Sequence, residues 1–86
     1  MILGKVIGSI VATKKNEKLV GYKIMIVQPI NHLYDANGSP ITCLDTVGAG
    51  IDEIVIVSGG TAARLACNDR DMPADAAIIG IVDSIN

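Results

Sequence analysis

The sequence predicts a mainly β protein, a small closed barrel of five strands with one short α-helix between the fourth and fifth strands. Apolar residues make up 50% of the 86 residues, while Phe and Trp are absent. The many Ile and Val residues favour strands over helices. Five apolar runs of strand length alternate with turn-forming residues. Gly4 and Gly8 lie in the first run, where glycine lets a strand bend around a barrel. We expect a single domain spanning residues 1–86.

The first half of the chain contains three of these strands, which we predict at residues 2–13, 22–28 and 41–45. A polar turn at residues 14–18 connects the first two. The second strand is expected to end at Pro29, because proline has no N–H group to donate to a sheet. Before the third strand, Asn37-Gly38 is a strong signal for a hairpin turn.

The second half of the chain contains the helix, enclosed by strands that we predict at residues 53–58 and 76–83. Thr61 is the expected N-cap, since its hydroxyl can accept a hydrogen bond from the first turn. Alanines and Leu65 then propagate about two turns, and the helix ends before Pro73.

The outer surface of this barrel is predicted to need a cover. Strands two, four and five are apolar at consecutive positions, so both faces of each strand must be buried. A helix of two turns cannot cover the outside of five strands. We therefore predict that other copies of the chain cover it.

Charge is distributed unevenly along the chain, although the net charge is only −2. Residues 1–23 carry a net charge of +4, and residues 24–86 carry −6. These are either two ordinary solvated surfaces or unlike ends that meet between neighbouring subunits of a head-to-tail ring. No apolar run approaches the length of a membrane span, and no secretion signal is recognisable. We expect a soluble cytoplasmic protein with no membrane partner.

The residue types that usually carry catalysis or bind metals are few. His32, Cys43 and Cys67 lack the spacing of a zinc site, and His32 has no partner for acid–base work. We predict no catalytic residue, no metal and no cofactor. The turn Gly59-Gly60-Thr61 could offer N–H groups to a phosphate, which leaves an enzyme acting on phosphate esters as one alternative. The lysine of a phosphate-binding P-loop is absent, however.

A second alternative is a small oligomeric binding module of the oligonucleotide-binding (OB) class, for nucleic acid or a small anion. Five strands closed into a barrel fit that OB-like fold. Such modules depend on stacking aromatic side chains and a basic groove. Here Tyr22 and Tyr34 are the only aromatic residues and the charge balance is acidic, so we expect no nucleic-acid partner.

The most informative segment is residues 45–64, which contains the narrow loop Gly48-Ala49-Gly50. Glycines tolerate positive φ and allow another backbone to approach closely. Asp52 and Glu53 follow, but neighbours in a strand point to opposite faces and so do not form an acid–base pair. We interpret the loop as a contact between subunits.

Motifs in five regions resemble the EutN/CcmL family, the small pentameric vertex proteins of bacterial microcompartment shells. In order, these motifs are Gly4-Lys-Val-Ile-Gly8 with Thr13-Lys14, Leu19-Val-Gly21 with Lys23-Ile-Met-Ile-Val-Gln-Pro29, Asp45-Thr-Val-Gly-Ala-Gly50 with Glu53, Ser58-Gly59 with Ala63-Arg64, and residues 73–83. The family usually has glycine where this chain has Asp52, a departure that bears on the backbone conformation of the loop.

The resemblance implies a non-enzymatic shell protein, a homopentamer that caps the vertices of a shell whose facets are hexameric tiles. It places the glycine loop near the five-fold axis and the subunit contacts, at residues Val47, Gly48, Ala49, Gly50, Ile51, Asp52 and Glu53. It implies further contacts at Arg64 and Asp83. If the carboxylates of Asp52 or Glu53 line an axial opening, that opening should disfavour anions.

Overall fold

Five strands close into a barrel in the spatial order β1-β2-β3-β5-β4. The computed structural model describes all 86 residues. The strands are β1 (Ile2–Ile10), β2 (Lys23–Ile30), β3 (Ile41–Asp45), β4 (Ile54–Gly59) and β5 (Ala76–Ile81), with helix α1 at Gly60–Ala66 and a 3₁₀ turn at Glu17–Leu19. All pairings are antiparallel except β3–β5, which is parallel and contains only Leu44↔Ala77 and Asp45↔Ile78. The predicted barrel and the place of the helix are confirmed.

β3 has the predicted bounds, whereas the other strands differ from the predictions by one to three residues at one or both ends. β1 ends at Ile10, where its pairing with β2 ends, and the next residue, Val11, is 94% exposed. β2 continues through Pro29 to Ile30, so the predicted end at Pro29 was wrong. The carbonyl of Pro29 accepts a hydrogen bond from Asn37 N, on the side away from β1. The missing N–H of the proline therefore removes no bond from the β1–β2 ladder.

The connection between β2 and β3 is longer than the predicted hairpin turn. It spans residues 31–40 and folds back so that Ala36 forms a bridge with Ile30. Gly38 has a φ of +107°, which glycine adopts at low cost. The asparagine–glycine signal therefore marks a turn within a longer loop.

The barrel interior is filled by small and medium apolar side chains. Its buried cluster comprises Val6, Met25, Val27, Cys43, Ala49, Val55, Val57 and Ile78. Gly4 also faces this interior, because a Cβ there would overlap Val27 Cγ1. Because Gly4 has no side chain, Val27 can fill the space in front of it.

A second, smaller core lies between the barrel and the helix. It consists of Leu44, Ala63, Cys67, Met72 and Ala77, all buried. Tyr22 donates a hydrogen bond from its hydroxyl to Cys67 O at 3.2 Å and so connects the start of β2 to the end of the helix. Burying a Leu or Met side chain contributes about 2 kcal/mol, so this core is what holds α1 on β4 and β5.

The helix begins two residues earlier than predicted, and the prediction that Thr61 is its N-cap was wrong. Gly59 occupies the cap position and makes no side-chain cap bond. Gly60 has a φ of +56°, and its N–H donates to Asp75 O at 2.8 Å, which ties the turn to β5. Thr61 lies in the first turn, where its hydroxyl accepts a bond from Arg64 Nη2 at 3.3 Å. The long-range bond to Asp75 determines where the helix starts.

No helix of this chain combines the length and the apolar character that crossing a membrane requires.

Candidate assembly surface: the glycine loop and the uncovered barrel face

The glycine loop, residues 46–53, crosses one end of the barrel between β3 and β4. The side chain of Asp45 shapes its start, because Oδ1 accepts hydrogen bonds from Val47 N at 3.0 Å and Gly48 N at 3.1 Å. Gly48 has a φ of +78°. This arrangement is an Asx turn, in which the side-chain oxygen of an aspartate accepts hydrogen bonds from the backbone N–H groups of a tight turn.

The centre of the loop points inward. Ala49 is only 2% exposed and belongs to the barrel core, so its methyl group closes this end of its own barrel. On either side, Val47 is 40% exposed and Ile51 is 53% exposed. Val47 and Ile51 therefore offer apolar surface to a neighbouring molecule, whereas Ala49 offers almost none.

The exit of the loop depends on the residue that departs from the family pattern. Asp52 has a φ of +70°, a left-handed conformation that favours glycine and that aspartate tolerates better than most residues. Its N–H donates to Val6 O at 2.8 Å, and Val6 N donates to Glu53 O at 3.0 Å. The backbone conformation of a glycine is thus kept with an aspartate in place, and the loop is fixed to β1.

The two carboxylates at this exit are engaged within the chain in different ways. Glu53 Oε1 accepts a short hydrogen bond from Gly50 N at 2.6 Å and closes the loop on itself. Asp52 is exposed, and its Oδ1 lies 3.7 Å from Lys5 Nζ. An exposed pair of this kind contributes about 0–1 kcal/mol. These contacts direct the two carboxylates to different partners within the chain.

One side of the barrel has no cover. Helix α1 lies against β4 and β5, but the outward side chains of β1, β2 and β4 remain accessible. We define the uncovered face by five of them, Leu3, Ile7, Ile26, Ile54 and Ile56. Ile7 is 46% exposed and the other four are half-buried, so one short helix leaves this outer face partly exposed.

Two glycines flatten the outer surface of the strands. A Cβ at Gly8 would lie 3.4 Å from Ile26 Cδ1, and a Cβ at Gly80 would lie 3.4 Å from Ile56 Cδ1. Each isoleucine therefore leans across the glycine opposite it in the sheet. The strand beside Gly8 is also bulged at Ile7, which bends β1 around the barrel.

The remaining residues singled out from the sequence do not meet at one site. Arg64 is half-buried and donates to Thr61 Oγ1 at 3.3 Å and to Ala74 O at 3.5 Å, so it braces the helix against the segment before β5. Asp83 is exposed beyond β5, and His32 is exposed in the connection between β2 and β3. Whether Arg64 or Asp83 contacts a neighbouring subunit stays a prediction.

The two cysteines are unpaired and lie in different cores. Burial raises the pKa of the Cys43 thiol to about 11, with a contribution from the negative charge of Asp75. Burial also raises the pKa of Cys67. Because the thiolate is the nucleophilic form, both thiols are poor nucleophiles at neutral pH.

Two residues have structural features to which the sequence analysis assigned no role. Asp45 is 92% buried and shapes the glycine loop, and the pattern of an aspartate two residues before a turn N–H could have indicated it. Ser58 is buried at the end of β4, and its hydroxyl has no hydrogen-bond partner. Nothing in the local sequence distinguishes Ser58 from a serine whose hydroxyl is bonded.

These features define a class of protein: a small barrel with a filled interior, a partly exposed apolar outer face and a tight glycine loop at one end. The family model described as "Ethanolamine utilisation protein EutN/carboxysome" matches residues 1–83. The chain is 47% identical over 85 residues to the microcompartment shell vertex protein GrpN of Rhodospirillum rubrum, covering 99% of this chain and 96% of the relative. It is 40% identical to the carboxysome shell vertex protein CcmL of Synechocystis, covering 100% and 86%.

Solved structures agree with these sequence relatives. The pentameric shell protein GrpN from Rhodospirillum rubrum superposes with a TM-score of 0.90 at 46% identity, covering 100% of this chain and 98% of that one. An ethanolamine utilisation protein EutN superposes with a TM-score of 0.96 at 34% identity, covering 100% and 90%. The chain belongs to the EutN/CcmL family of microcompartment shell vertex proteins, and the resemblance stated from its motifs is confirmed.

Proposed function

We propose that this chain is a structural shell protein whose homopentamer caps the vertices of a bacterial microcompartment in the cytoplasm. The observation that carries the proposal is the uncovered face, which one chain leaves accessible and which copies of the chain would bury. The function is geometric, because five-fold units supply the curvature that flat sheets of hexameric tiles lack. The family relatives support the proposal, since they are named as shell vertex proteins and one solved relative as pentameric.

The surface chemistry suits a ring of identical subunits. Apolar side chains grouped on one partly exposed face of a small chain favour an interaction site there. The opposite charges of residues 1–23 and 24–86 allow unlike surfaces to meet when subunits assemble head to tail. Repeated copies of one chain would bury the apolar face and bring the unlike charges together.

Within the ring, the glycine loop is the proposed contact near the five-fold axis. The exposed side chains of Val47 and Ile51 offer apolar surface there, and Ala49 offers the least. The ammonium group of Lys5 partly offsets the negative charge of Asp52, and the bond from Gly50 N holds the carboxylate of Glu53 against the loop. Exclusion of anions would then rest mainly on Asp52, the more exposed of the two.

The other proposed partners are the hexameric tiles that surround a vertex. We expect neither nucleic acid nor a membrane as a partner, and no enzymatic activity. Tyr22 is bonded to the helix end and Tyr34 lies in the connection between β2 and β3. Because these two tyrosines lie apart, they do not form the aromatic stacking platform that single-stranded nucleic acid requires.

Native mass spectrometry of the purified chain tests the assembly. We expect a pentamer from the wild type, and subunits that dissociate while staying folded from Ile7→Glu on the uncovered face. Leu33→Glu is the matched control, because Leu33 is also exposed but lies in the connection between β2 and β3. A wild-type chain that stays monomeric or dimeric would contradict the proposal. Salt-sensitive binding of nucleic acid, or turnover of a phosphate ester, would instead support one of the alternatives.

A further inference from the structure

The parallel ladder between β3 and β5, which we call the seam, joins only part of β3 to its neighbour. Its two pairs involve the last two residues of β3, and residues 41–43 pair with nothing on β5. A pocket of about 160 Å³ lies at this gap, with Thr42, Cys43 and Ala76 among its walls. Since few backbone bonds hold the seam, its closure depends on contacts from other parts of the chain.

A segment of the connection between β1 and β2 reaches over this gap. We define the strap as residues 17–22, which comprise the 3₁₀ turn and the three residues before β2. Leu19 of the strap is half-buried, lines the same pocket and packs against the second core. That core contains Leu44 and Ala77, which form the first pair of the seam. The strap therefore covers both the gap and the start of the ladder.

Two polar contacts fix the strap to the segment that leads from the helix into β5. Lys18 Nζ lies 3.0 Å from Asp69 Oδ2, and the Tyr22 hydroxyl donates to Cys67 O at 3.2 Å. Asp69 is itself held, because its Oδ1 accepts a bond from Asp71 N at 2.9 Å. The N–H of Asp71 and the ammonium group of Lys18 lower the pKa of the Asp69 carboxyl, which keeps it charged at neutral pH. The strap thus connects the β2 side of the barrel to the β5 side.

Release of the strap would break few contacts. The N–H groups of Leu19, Val20 and Tyr22 each donate to the carbonyl three residues earlier, so the backbone bonds of the strap are local. It is held across the gap by the packing of Leu19, the hydroxyl bond of Tyr22 and the ion pair of Lys18, which contributes little because it is partly exposed. A segment held by so few contacts can open while the rest of the chain stays folded.

We propose that the strap is a conformational device that holds the seam closed and, on release, lets β3 and β5 part while the other ladders stay paired. The seam leads directly into the glycine loop, because Thr46 follows its last pair on β3. Thr46 donates from N and from Oγ1 to Ile78 O, at 3.3 and 2.7 Å. A closed seam therefore holds the start of the loop as well.

The two cysteines report the position of the strap. Cys67 lies in the second core, where Tyr22 bonds to its carbonyl, and Cys43 lies in the wall of the pocket that Leu19 also lines. Cys67 is 7% exposed and Cys43 is 2% exposed, so a thiol reagent reaches either one only after an opening. The labelling rate of the native chain then measures how often the strap is released.

Labelling of the full chain with N-ethylmaleimide, located by mass spectrometry of its peptides, tests the proposal. Leu19→Ala removes the side chain over the gap and should speed labelling of both cysteines about tenfold or more. Tyr22→Phe loses the bond to Cys67 O and should speed it about fivefold. Val20→Ala is the matched control, because Val20 lies in the strap but is 65% exposed. It should leave both rates within about twofold of the wild type.

Urea separates release of the strap from unfolding of the whole chain. A local opening exposes little surface, so labelling through it hardly changes at low urea, whereas labelling through global unfolding rises steeply. We expect the flat dependence for the wild type and for Leu19→Ala. A steep dependence or an unchanged rate in Leu19→Ala, or equal acceleration by Val20→Ala, would overturn the proposal. The strap and both thiols lie within one chain, so this result is independent of the test of assembly.

Discussion

The inner and outer faces of the same strands differ in how far a single chain buries their side chains. Facing inward, Val6, Val27, Val55 and Ile78 are fully buried within a single chain. Facing outward, Ile7 on the same strand as Val6 is 46% exposed. The inner face therefore determines whether the chain folds, while the outer face is left to determine what the folded chain contacts. Substitutions on the two faces should accordingly separate stability from assembly.

The largest expected effect comes from Ala49→Arg, on the inner side of the glycine loop. The resemblance to the family places Ala49 near the five-fold axis, where an arginine side chain would break a ring by crowding. Since Ala49 is buried in its own barrel, we now expect the chain itself to lose on the order of 4 kcal/mol or more, because an unpaired charge enters the core. Thermal unfolding measures this loss.

Ile51→Arg is the control for that substitution, two residues along the same loop but 53% exposed. It should keep the unfolding temperature of the wild type and lose only the pentamer. If Ala49→Arg unfolds at the wild-type temperature, the assignment of Ala49 to the core is wrong.

A smaller effect is expected at the glycines of β1. Gly4→Ala places a methyl group against Val27 in the interior, and overpacking of this kind costs about 1–3 kcal/mol. Gly8→Ala on the outer face meets Ile26 Cδ1 at 3.4 Å, an ordinary contact, so its effect on stability should be within about 0.5 kcal/mol. Urea denaturation of both variants compares the two faces directly, and equal losses would contradict the distinction.

The smallest effect, opposite in sign, is expected at Ser58. Its buried hydroxyl has no partner, and an unsatisfied buried group costs about 1–3 kcal/mol. Ser58→Ala should therefore leave stability unchanged or raise it by about 1 kcal/mol. Thr46→Val is the contrasting variant, because it removes a 2.7 Å bond from Thr46 Oγ1 to Ile78 O, and it should lower stability. A clear loss with Ser58→Ala would show that the hydroxyl is bonded in solution.

Local patterns were enough to predict the strands, the helix and the barrel. Details that depend on distant residues were not predictable in the same way. The helix starts at Gly60 because of a bond to Asp75, which lies fifteen positions later in the chain. β2 passes through Pro29 because the neighbouring strand has already ended there.

The same limit applies to the assembly surface. Glycines around Ala49 predicted a tight loop, but whether the methyl group points inward or outward depends on the closed barrel beneath it. The resemblance to the family marked Asp52 as a departure from the usual glycine, and its positive φ shows that the backbone there keeps a conformation that favours glycine. The pairing of Asp52 with Lys5 brings together two residues far apart in the sequence, which no local pattern reveals.

The parallel seam between β3 and β5 has a consequence for how the barrel opens. Only two residue pairs form this ladder, whereas β1 and β2 are joined by seven. Separating β3 from β5 breaks few backbone bonds, so local opening should cost the least free energy at this seam. Amide protons along the seam should then exchange with solvent sooner than those between β1 and β2. The barrel is closed, but its resistance to opening is uneven around the circumference.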